Sequence, residues 1–280
     1  MTAFVYVIAE GVQDVAFLGR VLRALRGAKQ VQSLEDVDEP RKAWFQACSR
    51  WPVGGKIDRL AVPAPILLRG PGDLLVGLRN AEGLSKVAAT IQDDLDLLTR
   101  AGPGPEAVGV VLDSDDEPPD VRHGRLLERL AEIGLPVQEW PRALGEVRST
   151  IPRCGVYSVP DPGRMGTIED LLLELGAIAY PALHAAATGY IEDWLARLGD
   201  SPGADWKPLR KPAGAKKATV GAMSALLKPG KAVQASIHDN AWVGEATQAA
   251  PGLQPLLVFL DALLGVQASP GGPEGEPPGV

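Results

Sequence analysis

Cysteine is almost missing from this 280-residue chain: Cys48 and Cys154 stand alone and far apart. That excludes a disulfide framework and a thiolate zinc site, and it fits a reducing cytosol. Histidine is nearly as scarce. His123, His184 and His238 are widely separated and form neither HxxxH nor HExxH. No apolar run approaches the ~18 residues a membrane span needs, so no membrane segment is expected. The N-terminus lacks the basic stretch of a signal peptide, and a cytoplasmic location follows as the expectation. A surplus of positive charge is also lacking. The formal net charge is −7, which argues against wholesale wrapping of nucleic acid but leaves room for a local basic patch. Internal repeats are absent. Aromatic residues make up 5% of the chain, whereas hydrophobic residues make up 45%. At this length that is enough for a substantial core, as one large domain or two small ones.

Two apolar, β-branched runs read as buried strands: residues 3–9 (AFVYVIA) and 107–112 (AVGVVL). Further strands are predicted at 64–68, 74–78 and 155–159. Apolar residues at helical spacing predict helices over 14–25, 84–98, 121–133, 167–175, 177–198 and 253–264, with a helix-compatible stretch at 218–227. Strands alternating with helices predict an α/β fold, with a mainly parallel sheet and helices on both faces in the Rossmann-like manner. A mostly helical C-terminal part should follow. The boundaries expected are 1–176 for the α/β domain, with an insertion at about 35–102, then 177–266 for the helical, lysine-containing region. Residues 267–280, rich in Pro, Gly and Glu, should form a disordered tail.

What the chain does have is acid at the ends of its buried strands. Glu10-Gly11 follows the first and leads to Asp14, while Asp113-Ser114-Asp115 closes the second. Carboxylates there are costly unless something pairs with them, and a divalent cation is the usual partner. In parallel α/β sheets ligands sit beyond the carboxyl ends of strands, where Glu10, Asp113 and Asp161 are predicted to fall. Asp113 and Asp115 share a face if the strand continues that far. Hard oxygen ligands without thiolate or imidazole select Mg²⁺ or Mn²⁺. Glu169 and Asp170 are candidates for a second ion, and Lys216 and Lys217 for offsetting transition-state charge. Lys207, Arg210, Lys211, Lys216 and Lys217 belong to a basic stretch that suits a nucleic-acid groove or a solvated face equally.

E-G-x-x-D after one buried strand and D-x-D after another resemble the Toprim domain, over residues 3 to about 117. The stretch from Val156 to Leu175, with P-D and G-x-x-E-D-L-L, then a lysine pair, is similar to small stand-alone Toprim proteins related to the OLD (overcoming-lysogenization-defect) nucleases. The resemblance implies a metal-dependent nuclease acting on nucleic acid, DNA ahead of RNA. It makes Glu10 a metal ligand or general acid/base, and Asp14, Asp113 and Asp115 metal ligands. Glu169 or Asp170 would serve a second metal, and Lys216 or Lys217 the phosphate. It also implies a homodimer and, in the alternative reading, a non-catalytic module that binds nucleic acid or works with a separately encoded ATPase. The chain departs from the full OLD pattern by lacking a Walker A motif, since Gly54-Gly55-Lys56 has no phosphate-loop context.

Blander readings compete. Asp14 is also the residue that would cap a helix and complement its dipole. D-S-D-D-E before two prolines also fits a solvated loop. Thr167-x-x-Asp170 resembles a capping box. A phosphoacceptor role for Asp113 ranks lower, because Glu10-x3-Asp14 does not match the paired acids of response regulators. The six tryptophans read as core or interface residues.

Overall fold

The computed structural model describes residues 3–48, 65–100, 102–199 and 203–266. Gly54–Lys56, Trp51, the first predicted residue of the 64–68 strand and the expected tail at 267–280 lie outside them.

β1 (Phe4–Ala9) is buried along its whole length and lies inside a seven-stranded sheet. β4 (Leu75–Asn80) pairs with it in parallel on one side and β5 (Ala107–Asp113) on the other. β7 (Arg153–Val159) runs parallel to β5. The outer strands reverse direction. β3 (Ile66–Arg69) is antiparallel to β4, β2 (Lys29–Gln30) to β3, and β6 (Val147–Arg148) to β7. The sheet is therefore mixed, with a parallel centre and antiparallel edges in the order β2-β3-β4-β1-β5-β7-β6. β2 and β6 are two residues each, too short to leave a period-2 signal. Residues 35–102, expected as an insertion, contribute β3 and β4, and β4 pairs directly with β1.

Side-chain alternation divides the sheet into two buried faces. Val5, Val7 and Ala9 of β1 join one core, which also takes in α1 (Val12–Leu25), α5 (Ile168–Ala179), α6 (Pro181–Leu198), α7 (Gly214–Leu227), α8 (Val233–Asp239) and α9 (Gln254–Leu264). Phe4, Tyr6 and Ile8 join the other, under α2 (Arg41–Cys48), α3 (Leu84–Thr99) and α4 (Pro119–Glu132). Strands buried on both faces lose the apolar/polar alternation, which is why they read as continuous apolar runs. α2 falls in a stretch too rich in Pro, Gly and charge to show a helical period. It is held by two aromatics. Trp44 packs edge-on against Phe4 and Tyr6, with ring centroids 5.8 Å apart in each case. On the same side, the Tyr6 hydroxyl donates to Asp94 at 2.7 Å, and Arg79 bonds the same carboxylate. Asp94 is thereby a structural acid.

The C-terminal helices are part of this core. α9 lies so close to the sheet that a Cβ on Gly155 of β7 would stand 2.7 Å from Phe259 Cε2. Gly155→Ala should therefore overpack the interface and cost about 1–3 kcal/mol. That corresponds to a Tm lower by roughly 3–10 °C, and a melting curve followed by circular dichroism checks it. No helix among the described residues is long and apolar enough to cross a membrane.

Candidate functional site

Connectivity places the acids before their own chemistry is considered. From β1 the chain goes to β4 on one side, then crosses to β5 on the other. The sheet thus changes winding direction between β1 and β5, where α/β sheets open a crevice at the strands' carboxyl ends. Glu10 follows β1 and Asp113 ends β5, so both stand at that crevice.

α1 starts immediately beyond Glu10. Asp14 is its third residue and folds back so that Oδ2 accepts the Gly11 N–H at 2.7 Å. A Cβ on Gly11 would stand 2.8 Å from that oxygen, so the glycine makes room for the carboxylate. The capping role is real, yet it uses only one oxygen. Oδ1 is buried without a hydrogen-bond partner. Burial, partly opposed by the Gly11 bond and reinforced by the charges of Glu10 and Glu169, pushes the Asp14 pKa up to about 7.

Asp113 Oδ1 accepts the Ile168 N–H at 2.9 Å and so receives the start of α5. Its pKa is also raised, first by desolvation and then by the charges of Asp14, Glu169, Glu10 and Asp115. Glu169, in the first turn of α5, is almost fully buried, and its Oε2 likewise has no partner. Asp113 and the four carboxylates around it thus gather at the ends of β1 and β5 and the first turns of α1 and α5.

Asp115 does not share a strand face with Asp113. β5 ends at Asp113, and Asp115 turns into the left-handed region at φ 52°. Its N–H is held by the Gly166 carbonyl at 2.7 Å. What ties it to the set is Arg122, a buried side chain of α4. One guanidinium nitrogen reaches Asp115 Oδ2 at 2.5 Å and the other reaches Glu10 Oε2 at 2.9 Å. Nothing in the two acidic motifs points to Arg122. A signal does exist in the helix pattern, because Pro119, Arg122, His123, Leu126 and Leu130 form the buried stripe of α4. A charge inside an apolar stripe, close to an acidic loop, needs a partner.

The lysine pair meets the acid pair. Lys217 Nζ bonds Glu169 Oε1 at 3.0 Å and Lys216 Nζ bonds Asp170 Oδ1 at 2.6 Å. Desolvation works against the Lys217 charge but is outweighed by Glu169, Asp113 and Asp115, so its pKa is raised. Asp170 is engaged at both oxygens, since Oδ2 accepts the Thr167 N–H at 3.0 Å in the expected helix-start arrangement. Asp161 Oδ1 accepts the Gly163 N–H and serves its own turn. Lys207, Arg210 and Lys211 lie on the exposed stretch before α7, where Arg210 bonds the Gly199 carbonyl at 2.8 Å. The basic stretch is therefore divided, with only its last two members of that group on the acids.

The donor set consists of hard oxygens, and two of them, Asp14 Oδ1 and Glu169 Oε2, are orphaned by burial. That chemistry suits a divalent cation. The side chains as they stand are ion-paired, and among the described residues no three His, Cys, Asp or Glu groups are already spaced to grip an ion.

The profile of the family described as "Protein of unknown function (DUF3226)" matches residues 5–264. The chain belongs to this family. No curated protein matches it. Among solved structures, the DUF3226 chain is similar to the crystal structure of hypothetical protein PH0156 from Pyrococcus horikoshii OT3. Identity is 16%, the TM-score is 0.52, and the match covers 94% of this chain and 95% of that one. This is a likeness of fold, and it spans the sheet and the C-terminal helices together.

Proposed function

We propose that this chain is a metal-dependent phosphodiesterase acting on nucleic acid, of the Toprim type that its motifs resemble. One observation carries the reading. Five carboxylates converge at the β1/β5 crevice, two of their buried oxygens have no partner, and Asp14 and Asp113 are driven toward protonation. Arg122 and Lys217 bring two positive charges to five carboxylates, and Mg²⁺ or Mn²⁺ is the further counter-charge that fits the donors. Asp14, Asp113 and Glu169 would hold the ion. When bound it supplies Lewis-acid polarisation of a phosphoryl oxygen.

The chain's own groups do the rest. Glu10, at the open edge of the set with a side chain 21% exposed, takes the proton of the water that attacks phosphorus. Arg122 and Lys217 present charge to the phosphate as the P–O bond to the leaving oxygen breaks. Lys217, with a side chain 55% exposed, is the cation freest to follow it. Asp115 and Glu10 keep the Arg122 fork oriented. Asp170 and Lys216 hold the first turn of α5, so that Glu169 points inward.

The test is cleavage of circular and linear DNA by the purified protein in Mg²⁺ or Mn²⁺, beside calorimetry of metal binding. Metal-dependent cutting that disappears in Glu10→Gln is expected. Metal binding without cutting by either protein moves the protein to the second reading, a non-catalytic module that acts with a separately encoded ATPase. The grip of Arg122 on Glu10 and Asp115 favours that reading, because those acids already have a cation. Absence of both metal binding and cutting removes the metal-centre reading altogether.

A further inference from the structure

An open groove of about 870 Å³ lies next to the acid set. Its position is fixed by two neighbours in the chain. His123, on one wall, follows Arg122. Met165, which also lines the groove, precedes Gly166, whose carbonyl holds Asp115. Pro119, Leu144 and Met165 give the groove an apolar floor, and Met165 is 53% exposed. Arg142 and Arg164 stand on its walls, both exposed and neither in an ion pair with a described residue. Asp120 is the acid that lines it.

Two unpaired arginines flanking an apolar floor call for an anion with a flat apolar body. We propose that this groove seats the single strand of nucleic acid leading away from the scissile phosphate. One nucleobase would lie on the Pro119–Leu144–Met165 surface, and the flanking phosphates would sit on Arg142 and Arg164. A duplex keeps its base faces stacked, so an apolar floor serves only an unpaired base. The inference rests on the phosphodiesterase reading for the identity of the ligand, and it specifies the strand form.

The experiment measures binding in EDTA, where cleavage cannot intervene. The probe is a fluorescein-labelled oligothymidylate of about 16 nucleotides, the upper site size of a single-strand groove, followed by anisotropy across a salt series. Arg142→Ala/Arg164→Ala should weaken Kd about 10-fold and flatten the salt slope by about 1.4, since each phosphate contact on a single strand contributes about 0.7. Arg142→Lys/Arg164→Lys should recover the slope. Both arginines are exposed, and melting curves equal to wild type confirm that the variants fold. An unchanged Kd and slope in the alanine variant, no binding by wild type, or equal affinity for duplex and single strand each overturn the proposal. Cleavage with an indifferent groove leaves the phosphodiesterase reading standing. The predicted binding without cleavage leaves the groove and removes the enzyme.

Discussion

Asp113→Asn should lower metal-dependent cleavage by about 10³-fold or more, on the scale of losing a principal electrostatic group of an active site, while leaving the protein folded. Four other carboxylates press on Asp113, so it is the focus of the acid set. Asparagine has nearly the same shape and its Oδ1 can still accept the Ile168 N–H that starts α5. Local structure therefore survives while the charge disappears. Removing a repelled, partly buried charge should leave the metal-free variant at least as stable as wild type. Single-turnover cleavage and a melting curve measured together decide between roles. Loss of cutting with an unchanged or higher Tm assigns Asp113 to the chemistry. Full cutting with a lower Tm would make it only the acid that receives a helix N-terminus.

Asp14→Asn should change how stability depends on pH. The Asp14 pKa rises from its ordinary value of 3.8 to about 7 in the folded chain. Between those values the native state holds a proton that the unfolded state has released. Stability without metal therefore falls as pH rises from about 4 to about 7, and the whole penalty is present above 7. Three units correspond to roughly 4 kcal/mol at most. Below pH 4 both states are protonated and the penalty vanishes. The asparagine variant keeps the Gly11 hydrogen bond and carries no charge, so at pH 8 in EDTA it should melt several degrees above wild type, and at pH 4 level with it. Saturating Mn²⁺ should close that gap by stabilising wild type, about 2.7 kcal/mol at a hundred times Kd. Parallel pH profiles for the two proteins would show that Asp14 is not under the strain described, and would remove the main support for a missing counter-charge.

The parts of the fold visible in the residues are those with a period. β1 and β5 are apolar on every residue because both faces are covered. α1, α3, α4, α5, α6 and α9 carry an apolar stripe at helical spacing. All were anticipated within a few residues of where they lie. β2 and β6 left no such trace because two paired residues have no period. α2 leaves no helical period because Trp44 and Phe45 carry most of its burial, and α8 (Val233–Asp239) because about two turns show little of a stripe. The acids follow the same division. Glu10, Asp14 and Asp113 could be placed because each closes or follows a recognisable element. Asp115 would share a face with Asp113 only if the strand ran that far, and it ends two residues earlier, where the backbone turns left-handed.

By itself, the sequence determined that acids stand at the carboxyl ends of buried strands, because strand ends follow from local hydrophobic pattern. It also determined that Asp14 and Asp170 begin helices, because capping is a matter of three residues. Only the tertiary structure decided which cations face those acids. Arg122 meets Glu10 from 112 positions away, and Lys217 meets Glu169 from 48. Coulomb attraction depends on distance in space and on burial, and neither is a function of separation along the chain.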